Sequence, residues 1–200
     1  TKPLDEWNRP VTPETLMTWA ESYLKKLKAD AGESTYTFIS DKMPSNALFI
    51  GFIKLMFPNA KIIHCARSGM ATCLSCFKQD FTYGQGYAYD LEELGDYYTW
   101  HEDLIAHWKV LFPGGFYTSQ YEDLVANQEE ATQKLFEYIG LDVPEGAGNF
   151  HKQDRDVMTA SASQVRQPMY TGSLDKWKRY GDSLNVLADK IAHLEPEMKV

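Results

Sequence analysis

No stretch limits the possible folds of this chain as tightly as Lys61-Ile62-Ile63-His64-Cys65-Ala66. It is short, nearly continuous in apolar character and closed by Arg67. Such a run reads as a strand buried on both faces, which suits a parallel sheet covered by helices. Its flanks agree. Asn46 to Phe57 is strongly apolar, is closed by Pro58-Asn59 and reads as helix, and residues 70–79 read as helix on the other side.

The same alternation runs along the rest of the chain. Thr12 before Pro13-Glu14-Thr15 sets an N-cap with proline at the first helical position. Leu16, Met17, Trp19, Ala20, Tyr23, Leu24 and Leu27 then recur at helical spacing, and Gly32 offers a left-handed turn at the end. Thr35 to Ile39 is β-rich and predicts a first strand, which Asp41-Lys42-Met43-Pro44 interrupts. A loop over 83–89 precedes a long helix from about Asp90 to Leu111, stopped by Pro113-Gly114-Gly115. Phe116 to Tyr121 predicts a third strand, and Glu129 to Ile139 a helix ended by Gly140. Residues 143–181 turn rich in Pro, Gly, Ser and Gln, and helical periodicity returns from Ser183 to Leu194. Strands alternating with helices predict an α/β layered fold, a parallel sheet flanked by helices. Two hundred residues fit one domain, 1–200.

Composition removes several function classes. With 28 acidic against 20 basic residues the net charge is −8, which argues against a general nucleic-acid binder. It leaves room for one anionic ligand in a local basic pocket. No apolar run reaches the length of a membrane span, and the first residues show no signal-like apolar region, so no membrane partner and a cytoplasmic location are expected. The three cysteines, Cys65, Cys73 and Cys76, are odd in number and clustered, unlike a secreted disulfide framework. Cys73 and Cys76 form a C-x-x-C without the flanking residues of a redox motif or a second ligand pair at zinc spacing. All three are expected to be buried small hydrophobes. His64 reads as core, and His101 and His107 as packing or surface residues. No zinc motif occurs, and no metal is expected.

A few residues could carry chemistry. Arg67 follows the strand directly, and in parallel sheets ligands sit beyond the carboxyl ends of strands. Ser75 lies on the next helix. An arginine fork with a hydroxyl makes a good phosphate receptor, although a helix-capping arginine and a plain helical serine have the same spacing. Lys42 follows the first predicted strand, where a point charge suits a leaving phosphate oxygen and a solvated loop lysine is the bland reading. Tyr121 ends the third predicted strand and could donate to a phosphate or stack on a base. Ser161 to Lys176, with Gln164, Arg166, Gln167 and Tyr170 around Pro168, could cover a nucleotide or be solvent loop anchored by Trp177.

Taken in order these segments form a pattern. Asp41-Lys42-Met43-Pro44, Phe57-Pro58-Asn59-Ala60-Lys61-Ile62-Ile63-His64, Arg67 with Ser75, Tyr121-Glu122-Asp123-Leu124-Val125, Thr159-Ala160-Ser161, Gln164-Val165-Arg166-Gln167-Pro168-Met169-Tyr170 and Lys176-Trp177 follow one another along the chain. Together they resemble a bacterial sulfotransferase domain that uses 3′-phosphoadenosine 5′-phosphosulfate (PAPS). The type is often found behind tetratricopeptide repeats and is related to the protein-tyrosine sulfotransferases. The resemblance covers roughly residues 12–195 and implies a P-loop-like fold, PAPS as donor and a hydroxyl or phenol as acceptor. It makes Arg67 and Ser75 the receptor for the donor's 3′-phosphate and Tyr121 a further donor-binding position. Ser161 with Gln164, Val165 and Arg166 becomes the loop closing over the nucleotide, and Lys176 a basic residue near its phosphates. By the same resemblance Lys42 matches the lysine that stabilises the bridging oxygen as the sulfuryl group transfers, with Ser161 helping to orient it.

The chain also departs from that family. Its members carry a P-R-S-G-T-T-like loop whose backbone N–H groups cradle the 5′-phosphosulfate. Before Lys42 the only glycine is Gly32, in a setting that does not match. The glutamate base that follows the loop has no match either, and Glu14, Glu21 and Glu33 stand in no motif. Where the family reads Arg-x-Pro-x-Asp, this chain reads Arg67-Ser68-Gly69-Met70-Ala71, and Gln79 stands where tyrosine-sulfating relatives have arginine. The domain is thus expected to be partial, with its N-terminal strand, loop and helix missing. That would expose apolar edges and leave room for self-association or an upstream tetratricopeptide segment. Two functions follow: a sulfotransferase domain, or a relative without catalysis that keeps 3′-phosphoadenosine nucleotide binding or an interaction role.

Overall fold

The computed structural model describes residues 10–32, 37–81, 84–152 and 166–195, arranged as two units, Thr1–Ala60 and Lys61–Val200. In the first unit α1 (Pro13–Ala31) starts as its sequence dictates. The Thr12 side chain accepts the Thr15 N–H at 3.2 Å, and Pro13 takes a position whose N–H would be orphaned anyway. Gly32, at φ 88°, ends the helix. The helix expected from Asn46 to Phe57 begins instead as a 3₁₀ helix, Pro44–Phe49, and continues as α2 (Ile50–Met56). Aromatic contacts join α1 to α2 and its end, with Trp19 and Phe52 centroids 6.3 Å apart and Tyr23 and Phe57 5.9 Å apart. The strand expected over Thr35–Ile39 is absent from its described residues, 37–39, which are irregular. β propensity needs a neighbouring strand to take the N–H and C=O groups. Among the described residues the only ladder joins two strands of the second unit.

Those strands are β1 (Ile62–Ala66) and β2 (Phe116–Gln120), paired in parallel from Ile62↔Phe116 to Ala66↔Gln120. Between them run α3 (Gly69–Phe77), a 3₁₀ turn (Gly86–Tyr89) and α4 (Leu91–Leu111). α4 is capped by Asp90, whose carboxylate accepts the N–H groups of Glu92 and Glu93. After β2 come α5 (Tyr121–Ala126) and α6 (Gln128–Ile139), the latter ended by left-handed Gly140 as expected. α5 was not foreseen: the third strand stops at Gln120, and Tyr121 opens a helix whose first turn carries Glu122 and Asp123, favourable charges at a helix N-terminus. From the polar stretch onward the described residues form 3₁₀ segments Ala147–Lys152, Thr171–Ser173 and Lys176–Leu184, and α7 (Asn185–Ile191) follows.

β1 corrects the opening expectation. It is not buried on both faces: Ile62, His64 and Ala66 are half-buried, whereas Ile63 and Cys65 are exposed. A sheet of two strands is too narrow to be sandwiched by helices, so alternate residues remain uncovered. The core is helical instead. Met70, Ala71, Cys73 and Leu74 of α3 pack with Leu94 of α4, Trp177 and Leu184, and Leu187, Ala188 and Ile191 of α7. Among the described residues the fold is mostly helical with a two-stranded parallel sheet, narrower than the layered sheet expected.

Candidate functional site

Arg67 leaves the carboxyl end of β1, and the elements after β2 close around it. Its Nη2 donates to the Ser173 carbonyl at 2.9 Å, and its guanidinium carbon lies 4.9 Å from the centre of the Tyr121 ring. The Tyr121 hydroxyl and Ser173 Oγ are 3.1 Å apart, and the Tyr98 hydroxyl donates to the Arg67 carbonyl at 3.4 Å. Arg67 Nε is buried and has no hydrogen-bond partner among the described residues. Buried donors are nearly always satisfied, so an orphan on a permanently charged fork marks a place for an acceptor.

Ser75 is exposed on α3, about 9 Å along the helix from Gly69 at 1.5 Å per residue. The Arg67 charge reaches this turn: burial pushes the Cys76 thiol up, and Arg67 pulls it partly back. Arg67 and the turn carrying Ser75 are therefore electrostatic neighbours, although no hydrogen bond joins the two residues. Lys176 Nζ lies 5.7 Å from the Tyr170 ring centre, a cation–π contact on the segment that follows the expected lid. Arg166 is exposed, and Ser161, Gln164 and Val165 lie outside the described residues. Lys42 belongs to the first unit, exposed in the irregular segment before Pro44. Its neighbour Asp41 accepts from the Tyr23 hydroxyl and from Asn46 Nδ2, and the first bond pushes the Tyr23 hydroxyl up to about 12.

The departures from the family pattern now have physical accounts. Gly69 N–H donates to the Glu195 carboxylate, which a proline at this position could not do. A Cβ on Gly69 would stand 2.8 Å from Tyr98 Cε1 and 2.9 Å from Ile191 Cδ1. Ala71 is buried in the helical core, where an aspartate would bury an unpaired charge. Ser68 N–H is held by Glu122 at 3.0 Å, and Gln120 Nε2 steadies the same carboxylate at 2.7 Å. The α3 N-terminus is thus occupied by two of the protein's own carboxylates. Sequence reasoning missed Ser173, Glu122, Glu195 and Tyr98. Glu122 stood beside Tyr121 in Tyr-Glu-Asp, but nothing local marked Glu195 as a partner of Gly69.

The cysteine expectation holds for Cys73 and in part for Cys76. Cys73 is buried and its thiol is pushed up to about 12, chiefly by desolvation, and Cys76 is half-buried. Cys65 is exposed, because alternate residues of β1 are uncovered. Neither member of the C-x-x-C pair is activated as a thiolate. Among the described residues no helix is long and apolar enough to cross a membrane.

A model of the sulfotransferase family matches residues 2–145. The chain is 35% identical over 177 residues to an uncharacterized protein of Aquifex aeolicus (strain VF5), an alignment covering 84% of this chain and 23% of that protein. It is 24% identical over 180 residues to a Caenorhabditis briggsae protein named "Putative protein-tyrosine sulfotransferase", covering 85% of this chain and 62% of that one. The chain thus spans less than two thirds of the length of either relative.

Proposed function

The chain belongs to the sulfotransferase family, and from that premise we propose that residues 1–200 form a partial sulfotransferase domain that takes PAPS as donor and a hydroxyl or phenol as acceptor. The family implies a P-loop-like fold, and the donor supplies an activated sulfuryl group. In the transfer the bond from sulfur to the donor's phosphate oxygen breaks as the bond to the acceptor oxygen forms, and the acceptor proton leaves to a base. Such a transfer needs alignment and charge stabilisation more than covalent help.

Within this reading Arg67 and Ser75 hold the 3′-phosphate, and Tyr121 keeps the guanidinium plane in place from one side. Ser161, Gln164, Val165 and Arg166 form the covering loop, with Lys176 beside the phosphates. Lys42 meets the negative charge that grows on the leaving oxygen, and Ser161 orients that chemistry. The single observation that carries the proposal is the buried Nε of Arg67 beyond β1, without a partner among the described residues, beside a ring and a carbonyl that already restrain the fork. A phosphate oxygen satisfies it.

A second reading, nucleotide binding without catalysis, is favoured by the sequence, in which no residues match the phosphosulfate loop or the glutamate base. Calorimetry tests the shared part. The nucleotide 3′-phosphoadenosine 5′-phosphate should bind more tightly than 5′-AMP, and Arg67→Ala should remove the difference. Each charge-assisted hydrogen bond is worth about 1.5–3 kcal/mol, or about 10–150-fold in affinity. Equal affinity for the two nucleotides would remove Arg67 and Ser75 from the site. Sulfuryl transfer from PAPS to simple phenols then separates the readings. Turnover lost in Lys42→Ala supports the enzyme, and tight nucleotide binding without turnover supports the second reading.

A further inference from the structure

A different constellation lies away from Arg67. His64 sits at the centre of β1, opposite Thr118 of β2, and His101 and Glu102 are consecutive on α4. One nitrogen of each imidazole and one carboxylate oxygen lie within 4.8 Å of one another. His101 Nδ1 is 3.2 Å and His64 Nε2 4.0 Å from the same oxygen, Glu102 Oε1. The His64 side chain is only 10% exposed, while His101 and Glu102 are each 29% exposed, so the cluster has a buried wall and an open side. His64 Nδ1 is buried without a hydrogen-bond partner among the described residues, and 4.0 Å is too long for Nε2 to bond Glu102. The imidazole therefore turns Nε2 toward a carboxylate beyond hydrogen-bond reach, a nitrogen available to a metal ion.

We propose that His64, His101 and Glu102 form a three-ligand site for a divalent cation of the zinc class, which would pin α4 to β1. Two imidazoles and a glutamate are an established zinc ligand set, and three protein ligands leave a fourth position for water. Ligand atoms about 2.0–2.2 Å from a tetrahedral ion lie roughly 3.3–3.6 Å from one another. The 3.2 and 4.0 Å separations bracket that spacing, and the half-exposed His101 and Glu102 side chains have room to adjust. The site reverses the expectation that no metal is bound. It is independent of the sulfotransferase reading, since none of its ligands is assigned to the donor or the acceptor.

The test is calorimetric titration of the reduced chain with Zn²⁺, with melting followed in parallel. The expected result is one ion per chain and a raised melting temperature that a chelator reverses. Loss of a metal's outer-sphere partner alone costs about 10–100-fold in affinity. His101→Gln and Glu102→Gln, each removing a half-exposed ligand, should therefore weaken binding by at least about that much with circular dichroism unchanged. Loading with Co²⁺ should give the visible bands of a four-coordinate site without a thiolate charge-transfer band. Absence of saturable binding, unchanged affinity in both variants, or a thiolate band placing the ion on cysteine would overturn the proposal.

Discussion

Helices α3, α4 and α7 and strands β1 and β2 belong to the same unit, yet they differ in how fully they cover one another. The helices bury Met70, Cys73, Leu187 and Ile191 almost completely. The strands leave Ile63 41% exposed and Cys65 open. β1 is as apolar in sequence as the buried faces of the helices, so composition does not separate them. Partners do. Gly95 lets α4 approach α7 so closely that Lys190 lies alongside it, pairing with Asp96 at 2.9 Å and Glu92 at 3.1 Å. Among the described residues the two strands have only each other for a ladder. The catalytic reading rests on both regions, because Arg67 is carried by β1 and faced by residues that follow β2 and lead into the helical core.

Cysteine labelling measures that contrast most directly. Cys65 should react at once with a thiol reagent, whereas Cys73 should wait for global opening. With a stability of about 5 kcal/mol or more, the two rates differ by at least about a thousand-fold. Comparable rates would mean that the α3–α7 packing is loose. Leu187→Ala should cost about 2–5 kcal/mol in denaturant unfolding, the usual range for a fully buried leucine. Gly95→Ala places a Cβ 2.7 Å from Lys190 Cβ. Overpacking of that kind costs about 1–3 kcal/mol, more than the roughly 1 kcal/mol that alanine gains over glycine in a helix, so the net effect is destabilising. Ile63→Thr, on the open side of β1, should shift stability by no more than about 0.5 kcal/mol. A loss near 2 kcal/mol there would show that a partner covers this face in solution.

Much of the local structure was legible in advance. Thr12-Pro13 named the start of α1, Gly140 the end of α6, and the apolar periodicity of the long helix placed α4, because caps and helical repeats are short-range physics. β1 and β2 form where the sequence puts strands, but their surroundings differ from those an apolar run suggests. An apolar run states what a strand could bury, and only neighbouring elements state what it does bury. The strand expected at Thr35–Ile39 fails in its described residues for the same reason. At the candidate site, Arg67 and Tyr121 were named from their order along the chain, and the fold brings them within 4.9 Å. Ser173 and Glu195 carried no local signal, since their roles are a carbonyl and a carboxylate delivered from distant segments.

The chain order of Lys42, Arg67, Ser75, Tyr121 and Lys176 sufficed for the family, because a family pattern is a linear property. Order also exposed the departures at Gly69 and Ala71. Their meaning came from packing: a glycine N–H facing Glu195, and an alanine in a core closed to charge. The histidines show the limit most plainly. Read one at a time, His64 is a strand residue and His101 a helix residue, and neither suggests a ligand. Folding places both beside Glu102, because the helix that covers a strand sets which distant side chains share a few ångströms of space.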